Sequence, residues 1–137
     1  MDYSIILEDS PIYERFGAIS AEELLEHFPF GKPENTPRKR EYFGHMVKLT
    51  AERYRVYAEK GLQCPACGLT GIVFILERSK SQNTKKCHWN LYGIKNGRLV
   101  MMTIDHIIPK SKGGLDIIEN KQPMCIICNN KKGNNTN

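Results

Sequence analysis

Four of the five cysteines in this 137-residue chain fall into two pairs of one form, Cys64-Pro65-Ala66-Cys67-Gly68 and Cys125-Ile126-Ile127-Cys128. Two intervening residues let both sulfurs of a pair face one point, and Gly68 permits the turn that brings the chain round. Together the pairs supply Cys64, Cys67, Cys125 and Cys128 as four thiolates, a complete tetrahedral shell for Zn²⁺. The 57 residues between the pairs exceed the roughly 15–20 of a simple ribbon, so zinc here would clip the start of one segment to the far end of the chain. A closed four-sulfur site has no open position, so the metal is expected to be structural. In zinc-finger peptides such a site is worth on the order of 10–16 kcal/mol of folding free energy. Thiol–disulfide chemistry, the competing use of Cys-x-x-Cys, calls for a single motif at a helix N-terminus in a βαβ pattern, and neither condition is evident. Cys87 has no partner at ligand spacing and reads as a packing residue or an ordinary surface thiol.

With 40% hydrophobic and 26% charged residues the chain can bury a modest core, which excludes a wholly disordered segment. The length suits one compact domain with a small appendage. No apolar run approaches the roughly 18–20 residues of a membrane span, and Met1-Asp2-Tyr3-Ser4 does not begin a basic, then apolar, signal peptide. A soluble, intracellular and cytoplasmic protein is expected. An odd cysteine count also speaks against a secreted disulfide scaffold. The net charge of +5 is unevenly spread. Residues 1–36 carry two basic residues against eight acidic ones, and residues 37–137 carry eighteen against seven. We therefore divide the chain into an acidic segment, 1–36, and a basic domain, 37–137, whose charge suits a polyanion such as nucleic acid.

Ser20-Ala21-Glu22-Glu23 has the form of a capping box and predicts a short helix over Ala21–Phe28. Thr36-Pro37 resembles an N-cap followed by proline at the first helical position. It predicts a long helix over 37–60, with Gly61 just beyond its end and one apolar stripe from Phe43 to Ala58. Arg38, Lys39, Arg40, Lys48, Arg53 and Arg55 would fill the other faces, as a phosphate-binding or merely solvated surface. After Gly61 the pattern changes to strands near 71–78, 87–95 and 98–106, the last two joined by Asn96-Gly97, a two-residue hairpin signal. Ser79–Lys86 is expected to be an exposed loop and Asn134–Asn137 a fraying tail.

The hairpin leads into Thr103-Ile104-Asp105-His106-Ile107-Ile108-Pro109, which places Asp105-His106 at a strand end. Phosphodiester hydrolysis needs a base for water and a divalent cation for the developing charge, and a His beside a carboxylate can supply base and ligand. Adjacent side chains of a flat strand point to opposite faces, so the pair alone is weak. Its company is stronger. A basic Lys110-Ser111-Lys112-Gly113-Gly114 loop follows, then Glu119-Asn120, then the second knuckle with Asn129 immediately after Cys128.

This combination, with Lys132-Gly133 beyond it, resembles the zinc-bound HNH endonucleases, over Cys64–Gly68 and nearly without gaps over Thr103–Asn134. The resemblance implies a ββα-metal core, zinc-clipped over 62–134; with the antiparallel hairpin and the N-terminal helices read from the residues themselves, the expected fold is α+β. It implies a metal-dependent DNA endonuclease, nicking or cutting both strands and leaving 5′-phosphate and 3′-hydroxyl ends. His106 would be the general base, Asp105 and Asn129 ligands of one catalytic divalent ion, and Asn120 the residue that fixes the loop and the His. Lys110, Lys112, Lys131 and Lys132 would meet nucleic acid. Asn129 stands where many members have a second His, so Asp105 is the single charged ligand, which suits Mg²⁺ or Mn²⁺. DNA is the implied partner, in a bacterial or phage-infected cell. No second recognition domain is obvious, so strong specificity would call for a homodimer or a larger protein partner through the N-terminal segment. The alternatives are a non-catalytic zinc-ribbon nucleic-acid binder, which has no need of Asp105, His106, Asn120 and Asn129, and an interaction protein acting through its acidic front end.

Overall fold

The structure, a computed structural model, describes residues 9–81 and 86–133. The expected fraying tail lies outside the described residues, as does the middle of the expected loop at 79–86. The fold is α+β, and its main sheet is antiparallel. Strand β1 (Tyr13–Ser20) is followed by helix α1 (Ala21–His27), a hairpin of β2 (Lys39–Tyr42) and β3 (His45–Lys48), and helix α2 (Glu52–Lys60). Strands β4 (Val73–Ser79), β5 (His88–Lys95) and β6 (Arg98–His106), a loop with two short 3₁₀ turns, β7 (Lys121–Cys125) and helix α3 (Ile126–Lys132) complete it. The sheet order is β1-β4-β5-β6-β7, and β2-β3 stands apart.

The local signals at α1 and at the β5–β6 turn act as expected. Ser20 caps α1 by accepting a hydrogen bond from the Glu23 N–H at 3.2 Å. Asn96 and Gly97 take φ of 52° and 75°, the left-handed pair that a two-residue hairpin requires. The helix expected over 37–60 does not form as such. Its first half is the β2-β3 hairpin, and only Glu52–Lys60 is helical. The reason is a second tight turn at Phe43-Gly44, with φ of 50° and 81°. Glycine inside a helix costs about 1 kcal/mol relative to alanine, whereas at this turn it is in its preferred conformation. The hairpin also buries Tyr42 and Val47 on one side, with Tyr42 edge-on to Trp89 at 5.0 Å.

Strand β4 explains the two-sided core. Val73 and Ile75 face a small cluster with Tyr92, while Phe74 and Leu76 face the main one, with Leu24, Phe28, Tyr54, Trp89 and Met124. All four are fully buried, as a central strand covered on both faces should be. The main cluster draws on both halves of the chain.

β6 is shared by two hairpins. Its first part, Arg98–Met101, pairs with β5, and its second, Met102–His106, pairs with β7. α2 packs on β7, and α3 on β6. The large sheet thus carries a smaller strand–strand–helix unit at one end.

A carboxyl group is buried within the sheet. Glu77 on β4 is 1% exposed, and its carboxylate accepts from Arg15 Nε at 2.7 Å, Asn90 Nδ2 at 2.8 Å and the Tyr92 hydroxyl at 2.6 Å. Arg15 lies on β1, so a cation from the acidic segment neutralises the charge inside the basic one. Removing one partner of a buried pair strands the other, at about 3–5 kcal/mol. Arg15→Ala is expected to lower unfolding stability by about that amount, read as a shift in the urea midpoint; an unchanged midpoint would show that water replaces Arg15 freely.

Candidate active site

β6, β7 and α3 bring together the residues that the sequence singles out. His106 is the last residue of β6 and pairs across the ladder with Lys121; Asp105 pairs with Gln122. The Asp105 carboxylate is 7% exposed, and its Oδ2 accepts from Gln122 Nε2 at 3.0 Å and from Lys132 Nζ at 2.6 Å. Lys132 is therefore not the surface phosphate contact expected. Its side chain is 4% exposed, and its ammonium also donates to the carbonyls of His106 at 2.9 Å and Ile107 at 3.1 Å. Three N–H groups meet three acceptors. The face of α3 that carries Lys132 is turned to the end of β6, so the charge goes inward.

Asn129, one turn earlier on α3, is oriented by Thr103. The Thr103 hydroxyl has one proton, given to the Met124 carbonyl at 2.8 Å, so it can only accept from Asn129 Nδ2, also at 2.8 Å. The Asn129 amide oxygen is thereby set on the other side. Asn120, in the second 3₁₀ turn (Ile118–Asn120), clasps the loop: its Oδ1 accepts from Ile108 N, and its Nδ2 donates to the carbonyls of Ile108 and Leu115 at 3.0 and 2.8 Å. Its own carbonyl accepts from Ile107 N at 2.8 Å. Asp105, His106 and Asn129 border one open cleft of about 270 Å³, with Lys110 and Ser111 on its rim. Lys110, Lys112 and Lys131 are exposed.

Sequence reasoning missed Asp116. Its Oδ1 lies 3.0 Å from His106 Nε2 and 2.8 Å from Lys121 Nζ. The contact with the imidazole, then the charge of Lys110, holds its carboxyl below the usual carboxylate range. Ten residues separate Asp116 from His106, without a spacing rule to connect them. Only the loop clasped by Asn120 does so.

The donor set fits a hard divalent ion. Among the described residues, both hydrogen bonds of the Asp105 carboxylate fall on Oδ2, leaving Oδ1, and the Asn129 amide offers Oδ1. Two oxygens are a sparse protein shell, which suits an ion that keeps several waters.

The four knuckle cysteines converge. The sulfurs of Cys64, Cys67, Cys125 and Cys128 all lie within 4.8 Å of one another. Gly68, at φ +80°, makes the first knuckle's turn, and its N–H donates to the Cys64 carbonyl at 2.9 Å. At the second, Cys128 N–H points to Cys125 Sγ at 3.4 Å. Cys67 and Cys125 sulfurs are 3.7 Å apart, far from the disulfide length of about 2.05 Å yet close to the roughly 3.8 Å between two sulfurs on one tetrahedral zinc. Burial raises the Cys64 thiol, but N–H donors from the knuckle backbones outweigh it and bring it to about 7. Burial and the neighbouring sulfurs push Cys128 up to about 12. Four sulfurs this close can all be thiolates only around a cation, and the cluster is compatible with zinc. Cys87 is buried elsewhere in the core.

Two outcomes are expected. Purified protein should carry one zinc per chain by elemental analysis, and acidification should release it, because protons compete for the sulfurs as pH falls; a metal-free folded chain would exclude the clip. Lys132→Met should cost about 3–5 kcal/mol, since it strands the Asp105 carboxylate. Thermal unfolding at matched zinc content checks this, and a shift within error would mean that Asp105 finds water instead.

No curated protein and no solved structure matches the chain. No helix among the described residues is long and apolar enough to cross a membrane. The family model described as HNH endonuclease matches residues 85–135, which include β5, β6, β7 and α3, and this match supports assigning the chain to the HNH family.

Proposed function

We propose that the protein is a metal-dependent DNA endonuclease that hydrolyses phosphodiester bonds, by nicking or double-strand cutting, to 5′-phosphate and 3′-hydroxyl ends. The observation that supports this reading is the meeting of Asp105, His106 and Asn129 at one open cleft, under a loop pinned by Asn120. In it, β6, β7 and α3 are the ββα-metal core, and the four-cysteine zinc site fastens the start of α3 to the first knuckle. Asp105 and Asn129 would hold Mg²⁺ or Mn²⁺ through their remaining oxygens. Such an ion, when bound, supplies charge to the scissile phosphate and the leaving 3′ oxygen. His106 accepts the proton of the attacking water at a ring nitrogen. Lys132 holds Asp105 in place without touching substrate. Lys110, Lys112 and Lys131 meet the phosphate backbone, contacts that position DNA without reading its sequence. The basic domain 37–137 carries this activity, and the acidic segment 1–36 supports it through β1.

The test is a supercoiled-plasmid assay over a series of divalent ions. Wild-type protein should convert plasmid with Mg²⁺ or Mn²⁺, and His106→Ala, at unchanged zinc content, should lose roughly 10²–10⁴-fold in rate. Undiminished cutting by that variant would exclude His106 as the base. A wild-type protein that retains DNA but cuts with none of the ions would instead support the zinc-ribbon binder.

A further inference from the structure

We infer that Asp116 is a positioning residue that fixes the His106 imidazole as the Nε2–H tautomer and leaves Nδ1 as its basic nitrogen. The inference rests on the reading of His106 as general base, but its geometry stands separately. Asp116 Oδ1 is 3.0 Å from Nε2, within hydrogen-bond range. The same oxygen is 2.8 Å from Lys121 Nζ, and Lys110 Nζ lies 3.8 Å from Oδ2. Lys121 is itself held, its side chain 8% exposed and its ammonium also paired with Glu52 at the start of α2. Ammonium groups only donate, so Asp116 is an ionised acceptor between two cations. A carboxylate that can only accept requires the proton on Nε2, and the lone pair then resides on Nδ1.

The adjacent carboxylate does not do this work. Among the described residues the hydrogen bonds of Asp105 run to Lys132 and Gln122, not to the imidazole. Asp116 reaches the ring because Asn120 Nδ2 holds the carbonyl of the preceding residue, Leu115, at 2.8 Å. Asn120 thus acts on His106 through Asp116, and Glu52–Lys121–Asp116–His106 runs as a chain of contacts from α2 to the cleft.

The test reads the tautomer directly. Long-range ¹H–¹⁵N correlation spectra of the zinc-loaded full chain, with His106 assigned by its loss in His106→Ala, should show Nε2 protonated when the ring is neutral. Asp116→Ala should give a mixture of tautomers, and in the plasmid assay lower kcat about 10–100-fold with little change in KM. Asp116→Asn should keep the Nε2–H form and most of the rate, because Lys121 holds the amide oxygen at the Oδ1 position. Amide dispersion and zinc content establish that each variant is folded. Retention of a pure Nε2–H form in folded Asp116→Ala would overturn the inference, as would an Nδ1–H form in the wild type. Were the tautomer to shift as expected in a protein that cuts no DNA, the positioning role would survive and the endonuclease reading would fail.

Discussion

One strand does two jobs, and the site depends on it. β6 closes the large sheet with its first half and opens the small strand–strand–helix unit with its second. Backbone hydrogen bonds along an antiparallel ladder fix which residues face one another, since a slip of one position would reverse every side chain. Here the ladder sets His106 opposite Lys121 and Asp105 opposite Gln122. The rigid sheet, with Trp89, Leu91 and Met102 buried in its main cluster, is therefore the platform for two polar residues at a strand's end.

Two buried lysines organise the polar end. Lys132 turns to Asp105 and two carbonyls, and Lys121 turns to Glu52 and Asp116. A buried ammonium is costly unless every N–H finds an acceptor, and once satisfied it locks the groups around it. In this chain each lysine fixes one carboxylate near the end of β6. Lys132 holds Asp105, and Lys121 holds Asp116 beside the imidazole. Charge that looks in sequence like a phosphate-binding surface is in part internal scaffolding.

The acidic segment is joined to the same scaffold. β1 lies at the edge of the sheet against β4, and its Arg15 meets Glu77 in a buried network with Asn90 and Tyr92. At this contact the signs run opposite to the overall charge of the two parts, since the acidic segment supplies the cation and the basic domain the carboxylate. Residues 85–135, where the family model matches, contain β5 to α3 but not the first cysteine knuckle, β1 or β4. The sheet that supports the site is thus built partly by segments that the family description does not span.

Local chemistry was legible in the sequence. The spacing of the cysteines announced a four-sulfur cluster, because two residues between sulfurs bend them to one point. Ser20 announced α1, and Asn96-Gly97 a hairpin, because asparagine and glycine accept left-handed backbone angles. The equivalent turn at Phe43-Gly44 went unseen, since phenylalanine rarely takes φ of 50° and its spacing imitated a helical stripe. Tertiary structure alone decided the direction of Lys132, the orientation of the Asn129 amide through Thr103, and the arrival of Asp116 at His106. Those outcomes turn on which faces of distant segments meet, and a side chain's partner across a fold is set by strand register and loop closure, not by its neighbours in the chain.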